Sequence, residues 1–142
     1  MASLIDVNVL IALLHARHRH SPQAVAWLDR QDETGSVLIC RVVQMGALRI
    51  LTNPKVMKKD AMTAAAFWQG WDVAVQDERF AWTDEPERFE TVWRELTGRL
   101  TAGTSAETDT YLAALSLAGA WKLATFDQGF TRFPNVDLEL IN

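Results

Sequence analysis

The sequence has a single cysteine, Cys40, in 142 residues. A disulfide framework is therefore excluded, and a reducing, cytoplasmic setting is the expectation. Cys40 follows Val37-Leu38-Ile39 and reads as a small core residue at a strand end, not as a nucleophile. No apolar run reaches the roughly 20 residues of a membrane span, and the N-terminus lacks the basic region and cleavage site of a secretory signal. Positive charge is short as well: 14 Lys and Arg stand against 18 Asp and Glu, a net charge of −4. Any nucleic-acid contact must then rest on a local patch or on bound cations. There is no compact Cys/His cluster for zinc, no Gly-rich phosphate loop and no nucleophile-elbow Ser. Repeats, low-complexity tracts and linkers are missing too. A chain of 142 residues, 49% apolar and 23% charged, suits one domain over residues 1–142.

What is present is an alternation of short apolar runs and helical patterns. Strands are expected at residues 2–5, 36–40, 78–82, 121–125 and 136–140. Between them fall helices at 8–16, from Ser21-Pro22 to before Gly35, at 41–51, 61–72 and 85–100, and at 111–117 ending at Gly119. Ser21 reads as an N-cap followed by Pro at the first helical position, and Thr104-Ser105-Ala106-Glu107 matches a capping box, with Thr108 competing. Val25, Trp27 and Leu28 form the expected core stripe of the second helix. Lys55, Lys58 and Lys59 fall in the loop or short turn that Asn53-Pro54 opens. The pattern predicts an α/β fold, a mainly parallel sheet with helices on both faces and right-handed crossovers.

In an open parallel sheet, ligands sit beyond the carboxyl ends of the strands. The first apolar run ends in Asp6, with Asn8 two residues on; the run Lys122–Thr125 is followed by Asp127, and Asp109 opens a helix. Each acid has an ordinary structural explanation. Asp109 suits the free N–H groups of a helix start, Asp127 suits a turn before Gly129, and Asp6 could cap the helix after it. Together they fall on one rim of one sheet. Like charges held close are costly unless a cation compensates. Hard cations such as Mg²⁺ and Mn²⁺ take oxygen ligands, often with phosphate completing the shell. Acid-bound divalent metal is the chemistry the composition leaves.

Four blocks in this order carry a family resemblance: Leu4–Leu13, Gln44–Pro54, Thr108–Leu115 and Leu123–Phe130. The chain resembles a PIN domain and, more narrowly, a VapC-type toxin of a toxin–antitoxin pair. The resemblance spans essentially the whole chain. It implies a three-layer α/β/α fold, an endoribonuclease using Mg²⁺ or Mn²⁺, a homodimer, and inhibition by a small antitoxin whose tail lies over the active groove. Position by position, Asp6, Asp109 and Asp127 match the family's metal-site acids, and Asn8 matches its polar residue after the first acid. Gln44 falls where many members carry Glu. A neutral carbonyl there holds a cation less well than a carboxylate, so weaker metal affinity and one tight ion are expected. Glu107 could assist, or could only cap.

Arg41, Arg49, Lys55, Lys58 and Lys59 form the densest basic segment, and Arg17, His18, Arg19 and His20 a second. Such groups would give salt-dependent phosphate contacts; ordinary solvated charges are the other reading. Arg49, carried on a packed helix, is the best candidate for a phosphate or antitoxin-carboxylate contact. A metal role for His15, His18 and His20 is not expected, and His20 reads as a loop or groove residue. Among six tryptophans, Trp27, Trp93 and Trp121 read as packing residues. The helix carrying Phe67, Trp68 and Trp71, with residues 9–14, is the expected dimer or antitoxin surface. Two competing functions stay open: a PIN-like binding module that has lost catalysis, and a receiver-like phosphoryl-transfer domain. The second requires a middle strand ending in Asp, whereas the strand at 36–40 ends in Cys-Arg.

Overall fold

Five short strands carry the core, and their residues are almost continuously apolar because both faces of the sheet are covered. The computed structural model describes residues 1–142. In chain order it runs β1 (Ser3–Ile5), α1 (Val7–Leu14), α2 (Ser21–Asp29), β2 (Val37–Ile39), α3 (Arg41–Leu51), α4 (Pro54–Met57), a 3₁₀ turn at Lys58–Asp60, α5 (Ala64–Ala74) and β3 (Phe80–Trp82). Then follow α6 (Phe89–Thr97), α7 (Glu107–Gly119), β4 (Lys122–Thr125), a 3₁₀ turn at Gln128–Arg132 and β5 (Leu138–Leu140). The strand order is β3-β2-β1-β4-β5, and every pairing is parallel.

That order dictates the layers. The crossovers β1→β2 and β2→β3 step the same way across the sheet, so right-handedness puts their helices on one face. The crossover β3→β4 steps back past β1, which puts its helices on the other. The packing agrees: α1 contacts α2, α3 and α5, while α6 packs with α7. The chain is a three-layer α/β/α sandwich, as expected. Its core joins Leu4 and Ile5, Val37–Ile39, Leu123 and Ala124 from the sheet to Val9–Ile11 and Leu112–Leu115 from the two helical layers.

Several expectations are corrected in detail. Residues 9–12 are not a surface: Val9 to Ala12 are at most 5% exposed and belong to this chain's own core. Val25 is exposed, while Trp27 is buried beside it. Ser21 is the first residue of α2 and His20 its cap. Neither Thr104 nor Thr108 caps α7; Ala106 does, without a side-chain bond, and Ser105 Oγ instead donates to Glu107 Oε2 (3.3 Å). The helix expected over 85–100 forms only over Phe89–Thr97, because Pro86 belongs to the turn before it. Of the three aromatics on α5, Phe67 and Trp71 are buried and only Trp68 stays exposed.

The end of α7 has a clear cause. Gly119 is the last helical residue, and the left-handed position falls on Ala120 (φ 56°). A Cβ on Gly119 would stand 2.5 Å from the Trp121 ring. Glycine is therefore needed for close approach, and the alanine after it absorbs the turn.

Candidate active site

The sheet order reverses between β1 and β4, and the crevice beyond the carboxyl ends of these two strands is where the open α/β topology places ligands. Asp6 follows β1 there and Asp127 follows β4. Asp6 is only 7% exposed. Its Oδ1 accepts from the Val7 N–H (2.6 Å), capping α1, and its Oδ2 accepts from the Thr125 hydroxyl (2.7 Å). Burial raises the Asp6 carboxyl above the usual Asp range; the bonds from Thr125 and Val7 oppose this, and the charges of Asp109 and Asp127 add to it.

Thr125 is the residue that sequence reasoning passed over. It is fully buried, and its Oγ1 also accepts from the Asp127 N–H (3.0 Å). One hydroxyl thus ties the two strand-end acids together. The signal was present as a polar β-branched residue closing an apolar strand, one residue before the Phe126-Asp127 pair. Asn8, in the first turn of α1, faces the same point: its Nδ2 is 3.5 Å from Thr125 Oγ1 and its Oδ1 3.5 Å from the Phe126 N–H.

Asp109 reaches the rim from the first turn of α7. Its Oδ2 pairs with Arg132 Nη2 (2.8 Å), and Arg132 Nη1 donates to the Gly129 carbonyl (2.6 Å). Asp127 Oδ1 accepts from the Gly129 N–H (2.8 Å). A Cβ on Gly129 would lie 3.0 Å from Asp127 Oδ1 and 3.1 Å from Arg132 Nη1, so a side chain there would crowd both. Arg132 is therefore a positive charge set among the acids, a second residue that the sequence reading missed.

The donor set is all oxygen, and the charges of two neighbours weigh on a third. This fits a hard divalent cation in chemistry, as opposed to zinc or copper. The carboxylates are not drawn into one ligand shell, and no trio of His, Cys, Asp or Glu is placed to hold an ion. Asp109 is turned to Arg132 and Asp127 to the Gly129 amide, the contacts a cation would replace.

Gln44 is buried on α3, and its Oε1 accepts from Arg41 Nη1 (2.5 Å). The position where the resemblance expects an acid thus already faces a guanidinium, which also lies over the Trp82 ring at 4.3 Å. Arg49 lines a groove with Val7, Val42, Met45, Gly46 and Thr108, beside the start of α7. Lys55, Lys58 and Lys59 are exposed on α4 and the 3₁₀ turn, and none of them lines that groove. Glu107 is turned to Ser105.

The chain belongs to the PIN domain family, whose pattern matches residues 3–136. Among its relatives, Ribonuclease VapC41 of Mycobacterium tuberculosis is 32% identical over 142 residues, covering 97% of each chain. Ribonuclease VapC29 of the same organism is 33% identical over 129 residues, covering 91% of this chain and 88% of the relative. The fold is shared with the M. tuberculosis toxin VapC20, described as cleaving the sarcin–ricin loop (TM-score 0.69, 12% identity, 96% and 98% of the chains). It is also shared with VapBC2 of Rickettsia felis bound to a promoter DNA fragment (TM-score 0.67, 14% identity, all of both chains).

Proposed function

We propose that this protein is a divalent-metal-dependent endoribonuclease, the toxin of a VapBC-type toxin–antitoxin pair. The observation that supports it best is the Asp6–Thr125–Asp127 run at the switch point, with Asp109 close enough to act on Asp6. It stands in a chain that aligns, at 32% identity, over 97% of its own length and of a ribonuclease's.

In this reading Asp6, Asp109 and Asp127 hold Mg²⁺ or Mn²⁺. A bound ion would supply positive charge to the phosphodiester and acidify an attacking water. The remaining work falls to the chain's own residues. Thr125 fixes the Asp6 carboxylate by its hydroxyl, and the α1 amide at Val7 fixes the other oxygen. Asn8 presents an amide at the same point. Gln44, whose carbonyl oxygen is held by Arg41 on the same helix, would supply a neutral oxygen where many related toxins place a carboxylate. Arg49 meets a substrate phosphate or an antitoxin carboxylate in its groove, and Lys55, Lys58 and Lys59 add longer-range attraction for RNA. A small antitoxin is the protein partner and a second copy of this chain the other. The setting is the cytoplasm, in keeping with one buried, unpaired cysteine.

The test is cleavage of single-stranded RNA by the purified protein with Mg²⁺ or Mn²⁺ against the same reaction in EDTA. Cleavage that needs the ion and is lost in Asp6→Asn supports the reading. Metal-insensitive binding without any cleavage overturns it in favour of a binding module.

A further inference from the structure

Between α1 and α2 the segment His18-Arg19-His20 closes a groove of about 280 Å³ with Asn8, Phe126 and Asp127. This groove opens directly beside the acids but shares only its edge with them. Its walls are held by the chain itself. The His18 N–H donates to the His15 carbonyl (2.9 Å), the Ser21 N–H to the His18 carbonyl (2.9 Å), and the His20 N–H to His18 Nδ1 (3.1 Å). The His20 ring lies flat on Phe126, with centroids 4.5 Å apart and planes 15° from parallel. Phe126 itself sits between Thr125 and Asp127, so the stacked pair is fixed to the strand that carries the site.

Five of the six lining residues are polar, which does not suit an apolar docking helix. With Nδ1 taken by the backbone, the neutral His18 ring keeps its proton on Nε2 and offers a donor. Arg19 is exposed at the rim and unencumbered by any ion pair. A preformed aromatic platform, a donor and a guanidinium in a space just below the roughly 300 Å³ of a small ligand pocket match one base with its phosphate. Base–aromatic stacking of this kind is how single-stranded nucleic acid is held.

We propose that this groove binds the nucleotide adjoining the scissile phosphate of a single-stranded RNA, its base against the His20–Phe126 pair and its phosphate toward Arg19. The proposal rests on the nuclease reading and adds a subsite that sets where the strand is cut.

The experiment uses a set of identical RNA oligonucleotides, each with one abasic nucleotide, cleaved by wild type, His20→Ala and His20→Phe. In wild type, one abasic position next to the cut raises KM by about 5- to 150-fold, the range for one stacked base. His20→Ala raises KM on intact RNA by a similar factor and makes that position silent, while kcat changes little. His20→Phe keeps a ring and keeps the sensitivity, which separates stacking from a loss of fold. Arg19→Ala lowers the slope of log affinity against log salt by about 0.7. Wild type that cleaves RNA while the His20→Ala and abasic effects simply multiply overturns the subsite alone. Wild type that cleaves no RNA in Mg²⁺ or Mn²⁺ overturns the nuclease reading, and the subsite with it.

Discussion

Arg132 offers the sharpest test of how the acids are balanced. Its guanidinium meets Asp109 at 2.8 Å and stands beside Asp127 through Gly129. A divalent ion entering the site would compete with this internal cation. Arg132→Met keeps most of the apolar stem and removes the charge. The pair is partly exposed, with side chains 43% and 35% accessible, so its worth is that of a solvent-screened pair, about 0.2–1 kcal/mol. Freed of this competitor, the acids should bind Mn²⁺ about 1.4- to 5-fold more tightly. Arg132→Lys should stay near wild type, because the charge remains. Isothermal titration calorimetry with Mn²⁺ at fixed ionic strength reads the affinity without any substrate. The difference should shrink as salt is raised, because the pair is open to screening. Weaker binding in Arg132→Met would refute the reasoning and make Arg132 a partner of the ion instead of its rival.

Three further outcomes follow from contacts already described. The Asp6 carboxyl titrates above its unfolded value, so the folded state holds that proton more tightly; its contribution to stability is full below about pH 4 and falls as pH rises through the raised value. Asp6→Asn should therefore flatten the loss of metal-free stability that sets in as pH rises above about 4, read by urea titrations, while abolishing cleavage; an unchanged pH slope would contradict it. Thr125→Val keeps the shape of a fully buried side chain but deprives the Asp6 carboxylate of a donor and the Asp127 N–H of an acceptor, costing about 1.5–3 kcal/mol by denaturant unfolding; a loss under about 0.5 kcal/mol would mean the hydroxyl is dispensable. Gly119→Ala must displace the Trp121 ring, with an expected loss of about 1–3 kcal/mol, read from the denaturation midpoint together with a shift in tryptophan emission.

The sheet was legible in the sequence because its strands are buried on both faces and read as plain apolar runs, and Asp6 and Asp127 stood out as charges ending them. Asp109 could be grouped with them on the same rim, although an acid in a helix's first turn has a sufficient local explanation, and the family blocks supported that grouping. Thr125 and Arg132 escaped for a different reason. Their roles come from partners 119 and 23 residues away, and no local pattern carries such a pairing. The apolar run at residues 9–14 misled because a helix packed between a sheet and three other helices has little polar side of its own, so its sequence resembles an exposed sticky face. The start of α7 was hidden because Ala106 is not a capping residue type, whereas its end at Gly119 was legible; only the left-handed position at Ala120, beside the close approach of Trp121 to Gly119, was not.

The pairing of β1 with β4 also fixes when the chain can become active. Asp6 is made well before Asp127, and the Thr125–Asp6 bond that ties the two strand ends together spans 119 positions. A nascent chain that has not yet released β4 has only β1, β2 and β3 of its sheet and one of its strand-end acids. Synthesis from the N-terminus thus completes the pair of strand-end acids only after β4 has emerged. For a protein proposed to attack RNA, the topology postpones the assembled rim of acids until four of the five strands are made.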